Sequence, residues 1–249
     1  MANLITRIIM VLFLGTYALR ADVKRMSYSD LSWTQGGDGI WRAVFGSVTP
    51  PVTNGFSHLP FVEMFETNTV TIGDINGQNN WEVSQPGTAL VWTNDTYEGS
   101  QALSIASTNG ENTTVRQLFA NPGSDIVWAD MYTKAYGGVD PTNIFDSSAC
   151  FCFNSELHLM GYDGKLAGTN KWVILSQTND WTYGDWVRLT TCLDYNLQEW
   201  SIYANDTLLA EGLGFATTNS RLTMFEIAGQ SGVLDNFTAS TTMPTNLFF

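Results

Sequence analysis

The stretch WVILSQTNDWTYGDW brings Trp172, Trp181, Tyr183 and Trp186 close together in sequence. Indole and phenol rings present flat π-faces, and the apolar C–H face of a sugar ring lies well on such a surface. With nine Trp and nine Tyr, the chain has ample material for stacking platforms. Trp181 and Tyr183 fall in an expected loop, where an aromatic ring has less structural reason to sit than on a strand. Trp81, Trp128 and Trp200 read as core.

Acid–base chemistry has a weaker footing. Retaining glycoside hydrolysis needs two carboxyls about 5 Å apart, a separation that alternate positions on one strand supply. Glu63 and Glu66 form the only comparable cluster, and three positions apart they face opposite sides of a regular strand. Asp180, Asp185, Asp194 and Glu199 stand singly near strand ends. His58 lies in an early segment and His158 in an apparent hairpin, and each reads as structural. No Gly-x-Ser-x-Gly elbow, phosphate loop or zinc-type Cys/His spacing occurs, so no catalytic residue is assigned.

The elements that position these residues read as strands. Short runs rich in β-branched and aromatic residues recur between Gly, Asn and Asp, without a sustained helical period. Strands are expected at 61–66, 88–93, 101–106, 126–132, 148–154, 156–161, 172–176, 186–194, 199–204, 207–211, 222–228 and 233–239. Asn205-Asp206, between WSIYA and TLLAE, suits a two-residue hairpin turn, because both residues tolerate left-handed backbone. GDINGQNN, residues 73–80, offers Asp74, Asn76 and Gln78 as oxygen donors but lacks the glycine position and closing Glu of an EF-hand loop. It reads as a turn.

Composition supports one sizeable core in 249 residues, 44% of them hydrophobic. A net charge of −13 argues against a nucleic-acid partner, which needs a basic patch. Arg7, the apolar run Ile8–Leu14 and the small residues Ala18 and Ala21 form a secretory signal pattern, too short to span a bilayer. The expected organisation is a signal peptide over 1–21, a partly ordered leader over 22–60, one β-domain over 61–240 and a tail over 241–249. Export permits disulfides. Strand parity turns Cys150 and Cys152 away from Phe151 and Phe153, and sets Cys192 with Trp186, Arg188 and Thr190. A bridge from Cys192 to Cys150 or Cys152 is one expectation, and three reduced thiols the other.

WVRLTTCLDYNLQEWSIYANDTLLAEGLGF followed by FEIAGQSGVLDNFTAS resembles the back half of laminin-G-like, concanavalin A-like jelly-roll domains. In that pattern a Trp-led strand ends in Leu-Asp-Tyr, then come W-x-x-Y, an Asn-Asp turn and Gly-Phe. FVEMFE, GDINGQNNW and EGSQALSI agree at the front, so the resemblance covers roughly 61–240. The galactose-binding-like jelly roll is the alternative, disfavoured by the Asp194-Tyr195 to Trp200-x-x-Tyr203 hairpin. The resemblance implies an all-β antiparallel sandwich whose relatives often carry structural calcium. Glu66 and Asp235, on first and last strands, could share such an ion, or could instead hydrogen-bond loop backbone. The alternate-carboxylate motif of the family's glucanases and the Gln-x-His and Tyr-x-Lys-x-Gly-x-Tyr motifs of its lyases are absent. The expected function is a secreted, non-catalytic module that binds a glycan or a cell-surface polysaccharide. Converging carboxylates on one sheet face would instead favour a glycoside hydrolase or polysaccharide lyase, and an apolar-filled face a purely structural domain.

Overall fold

The computed structural model describes residues 42–46, 55–85, 87–107, 112–120, 123–138, 147–168, 171–176 and 180–247. The signal pattern lies outside them. Among the described residues no helix is long and apolar enough to cross a membrane. The strands are β1 Arg42–Gly46, β2 Phe61–Glu63, β3 Gly73–Asp74, β4 Trp81–Val83, β5 Ala89–Trp92, β6 Ala102–Ala106, β7 Thr113–Leu118 and β8 Ile126–Lys134. They continue with β9 Ala149–Phe153, β10 Leu159–Tyr162, β11 Trp172–Ile174, β12 Trp186–Asp194, β13 Glu199–Ala204, β14 Thr207–Gly214, β15 Met224–Gly229 and β16 Ser231–Ser240.

These strands form two antiparallel sheets. One has seven strands in the order β11-β10-β9-β1-β15-β7-β4; the other has nine, β14-β13-β12-β8-β16-β6-β5-β3, with β2 added beside β16. The chain switches sheets repeatedly, as from β6 to β7 to β8 and from β14 to β15 to β16, so the architecture is the expected jelly-roll sandwich. Part of the segment read as a leader is built into it: β1 sits between β9 and β15.

Alternation decides which side chains meet between the sheets. Phe151 and Phe153 of β9, Val127, Ala129 and Met131 of β8, and Val187, Leu189 and Leu193 of β12 all enter one core. At its centre Phe225 of β15 stacks on Phe237 of β16, with centroids 4.1 Å apart. Trp81 of β4 meets both edge-on, at 6.3 and 6.0 Å. Glu63 is fully buried beside this cluster. Its carboxylate accepts the Trp81 indole N–H at 3.3 Å, the Phe65 N–H at 2.9 Å, and bonds from Thr69 Oγ1 and Asn79 Nδ2 at 2.7 Å each. Those donors meet the cost that an unpaired buried carboxylate would carry.

Strands β12 and β13 match their expected limits residue for residue, and Asn205 and Asp206 turn between β13 and β14 with φ of 45° and 70°. The 73–80 segment is turn-like as expected: Asp74 accepts the Asn76 N–H, and Gln78 bonds the backbone of Thr71 and Asp74.

Two expectations need correction. Trp128 is not core: the smaller Val127 and Ala129 take the inward side of β8, leaving Trp128 outward and half-buried. The Cys192 bridge does not form: Cys150, Cys152 and Cys192 all keep reduced thiols, the other expectation. Cys150 and Cys152 lie on the outer side of the seven-stranded sheet and Cys192 on the outer side of the other. Two sheets about 10 Å apart separate them, beyond disulfide reach.

Phe237→Ala should lower unfolding free energy by about 3–5 kcal/mol in urea denaturation, through lost burial and a cavity between the sheets; a loss under about 1 kcal/mol would contradict this account of the seam.

Candidate functional site

The outer face of the nine-stranded sheet is where aromatic and charged side chains gather. On β8 the outward residues are Trp128, Asp130, Tyr132 and Lys134; on β12 they are Trp186, Arg188, Thr190 and Cys192. Register sets Lys134 beside Trp186, Tyr132 beside Arg188, Asp130 beside Thr190 and Trp128 beside Cys192.

Arg188 occupies the middle. Its Nε donates to Asp130 Oδ1 at 2.9 Å and its Nη2 to Asp130 Oδ2 at 2.7 Å, a two-pronged pairing, while Nη1 bonds the Asp206 carboxylate. Thr190 Oγ1 adds a 2.6 Å bond to Asp130. The bonds to Asp130 push the guanidinium pKa up, against burial, with the charges of Asp130 and Asp206 adding to the rise. The hairpin turn legible in sequence thus has a second role, since its Asp206 completes this ion cluster.

One end of the face is a ring cluster. Tyr97 stacks on Tyr132 at 3.6 Å and meets Trp186 edge-on at 5.8 Å. Lys134 Nζ lies 5.3 Å from the Trp186 ring centre and pairs with Asp95 at 2.6 Å. Beyond it Tyr136 and Tyr183 approach at 5.1 Å, and Tyr183 is 69% exposed. Burial raises the Tyr136 phenol pKa, and the charges of Asp95 and Tyr183 raise it further. At the other end Trp128 lies 6.1 Å from Tyr203. Burial pushes the Cys192 thiol up to about 11, with Asp194 contributing, so it is no nucleophile at neutral pH.

The sequence-expected aromatics do not all converge here. Trp186 lies within the ring cluster and Tyr183 beside it. Trp181 instead packs edge-on against core Phe153 at 5.4 Å, and Trp172 belongs to the other sheet, 5.5 Å from Tyr162. Tyr97, Tyr132, Tyr203, Arg188 and Asp130 are the residues that sequence reasoning misses, although WADMYTK carries a signal: its aromatic and charged residues, Trp128, Asp130, Tyr132 and Lys134, share one parity.

Glu66 and Asp235 do meet, at the loop that carries Tyr97. Asp235 accepts the N–H groups of Tyr97 at 2.9 Å and Glu98 at 3.2 Å. Glu66 accepts those of Ser100 at 2.7 Å and Gln101 at 3.1 Å, and the Ser100 hydroxyl at 2.7 Å. Gly99, at φ 69°, closes the clamp, because a Cβ there would lie 2.1 Å from Glu66 Oε1. Hydrogen bonding to loop backbone was the alternative expected for this pair. Calcium needs a cage of oxygen ligands, whereas here N–H dipoles point at both carboxylates. Among the described residues no three of His, Cys, Asp and Glu gather to hold a metal. As arranged, the pair clamps the loop backbone of residues 97–101.

The other sequence candidates have local partners. Asp185 accepts the Thr182 N–H, Asp194 accepts those of Asn196 and Leu197, and Glu199 pairs with Lys165 at 2.5 Å. His58 is exposed, and buried His158 lies 3.4 Å from Glu156.

No protein-family model and no curated protein matches the sequence. Among solved structures the chain is similar to one described as a sialidase, at 10% identity over 69% of this chain and 18% of that one, with a TM-score of 0.48. It is also similar to the binding domain of Paraclostridial Mosquitocidal Protein 1, at 13% identity over 73% and 48%, TM-score 0.45. A third is the binding domain of Botulinum Neurotoxin DC in complex with SialylT, at 11% identity over 67% and 43%, TM-score 0.42. The chain spans less than half the length of each. Likenesses this distant carry no residue correspondence to the face described above.

Burial lifts the Asp235 carboxyl to about 6, opposed by the N–H groups of Glu98, Tyr97 and Asn236, and the Glu66 charge adds to the rise. The unfolded chain titrates near 4. Between those values the native state binds more protons at this site, so the contribution of this carboxyl to stability is full below about pH 4 and is lost as pH rises through 6. Asp235→Asn should remove this slope. The wild-type stability minus that of the variant should fall by on the order of 2 kcal/mol from pH 4 to pH 7 in urea titrations; a constant difference would contradict it.

Proposed function

We propose that this chain is a secreted, non-catalytic carbohydrate-binding module of laminin-G-like type, and that the outer face of the nine-stranded sheet is its binding platform. The observation that carries the reading is the row of partly exposed rings, Tyr97, Tyr132 and Trp186 at one end and Trp128, set against buried Tyr203, at the other, flanking a polar centre. Sugar rings bring C–H faces for the aromatics and hydroxyls for the charged groups between them. Tyr183 extends the row at its exposed end. Trp181 packs its loop onto the core from outside the face, and Trp172, on the other sheet, takes no part in the platform.

The non-catalytic part of the reading is supported by what the carboxylates do. Asp130 and Asp206 converge on the Arg188 guanidinium rather than on open space, so neither is a paired nucleophile or a proton donor held in reserve. A purely structural role would favour a face filled with apolar side chains, and this one carries an ion cluster. The loop clamp at Glu66 and Asp235 leads us to infer that Tyr97 is held in place without a calcium ion.

The test is retention on immobilised polysaccharides and a glycan array, with calcium and with chelator. Trp186→Ala and Tyr97→Ala should each weaken retention at least tenfold while the far-UV spectrum stays unchanged, and chelator should have no effect. Full retention in both variants would sink the platform, and loss of Tyr97-dependent binding in chelator would restore the ion.

A further inference from the structure

Granted that the outer face of the nine-stranded sheet is the binding platform, its charges narrow the ligand. Of the cations whose side chains are described, Arg116 pairs with Glu82, Lys165 with Glu199, Lys171 bonds the Gly164 carbonyl, and Arg221 lies on the loop between β14 and β15. Lys134 and Arg188 are the two on the outer face of the nine-stranded sheet.

Both are already engaged. Lys134 lies 2.6 Å from Asp95, and Arg188 is gripped by Asp130 at 2.7 Å and also by Asp206. Three carboxylates therefore surround two cations, and the chain as a whole carries −13. A carboxylate, sulfate or phosphate on a ligand would have to displace one of these partners and would enter a field of its own sign. The Asp130 oxygens are taken up by Arg188 and Thr190. Asp206 is one-third exposed and takes its bond from Arg188 alone among the contacts described, so a carboxylate with about four acceptor positions retains capacity. What this face can use is a ligand that brings hydroxyl donors and apolar ring faces.

We infer that the face selects neutral glycans and rejects acidic ones, with Asp206 both accepting a sugar hydroxyl and masking Arg188. A sugar lying across Tyr97 and Trp186 keeps its C–H face on the rings, and its equatorial hydroxyls reach the polar centre without any ion pair being broken.

The experiment sets neutral oligosaccharides on an array beside the same oligosaccharides bearing a sulfate or a uronate, and reads the mature chain at low and at high salt. Neutral members should bind at least tenfold more tightly than their charged counterparts at low salt, with the gap narrowing as salt screens the face. Asp206→Asn keeps a residue that tolerates the turn's left-handed backbone and uncovers one side of Arg188. It should raise the ratio of acidic to neutral binding at least fivefold, at low salt only. Equal or tighter binding of the acidic members by the unaltered chain overturns the inference and leaves the platform standing. Silence across every carbohydrate overturns the platform and the inference together. Because the wild-type salt series stands alone, a variant that fails to fold does not shield the proposal.

Discussion

The contact on which the rest depends is Phe225 on Phe237, one ring from each sheet, stacked at 4.1 Å with Trp81 and Phe61 closing around them. A two-sheet sandwich must fill the space between its layers at near-crystal density, and here aromatic rings do so at the centre. Phe237 can reach that position only because β16 slips register between Asp235 and Thr238, with Asn236 at φ 48°. The bulge resets the alternation. Leu234 and Phe237 both point inward, and Asp235, opposite Tyr132, points outward. From there its carboxylate holds the Tyr97 N–H, and Tyr97 lies flat on Tyr132. Core packing and ring cluster are thus joined through one irregular turn of a strand.

The two outer faces follow different chemistry from the same alternation. Across the seven-stranded sheet, Glu82 and Arg116 pair on neighbouring strands, with Glu226 opposite Arg116 in register, and buried Cys150 and Cys152 lie near Trp172. Across the nine-stranded sheet the rings remain partly open, and Tyr97 is 44% exposed. Its two described cations, Lys134 and Arg188, are both paired with carboxylates, so the attraction this surface offers is the short-range kind, ring faces and hydrogen bonds. Such contacts lose little to salt.

How far the sequence speaks varies with the physics of each stretch. WVRLTTCLD and EWSIYA alternate cleanly, and their limits are legible to the residue. Asn205-Asp206 announces its turn by backbone tolerance alone. TTVRQL, which forms β7, escapes such a reading because polar Thr113, Thr114 and Gln117 are buried there alongside Val115, so its pattern lacks the usual contrast. RAVFG lies in a Gly- and Pro-rich context that disguises β1 as part of a leader. The site is half legible. Trp186 and Tyr183 stand out as aromatics near a loop, and Glu66 with Asp235 as an expected pair of neighbours, although Glu66 lies beyond the end of β2 and β1 precedes it. Trp128 defeats an assignment by hydrophobicity, because parity decides its side. Tyr97, Arg188 and Asp130 are joined by tertiary pairing from separate strands and loops, and one-dimensional spacing does not encode that.

The central claim concerns where a ligand touches, and the indole N–H resonances of the nine tryptophans offer a direct reading of it. In a titration of the isotopically labelled chain with a neutral oligosaccharide, the account predicts that Trp186 and Trp128 shift, while core Trp81 and Trp200 and the opposite-sheet Trp172 hold still. Shifts centred on Trp172 or Trp181 with Trp186 unmoved would place the ligand elsewhere and contradict it.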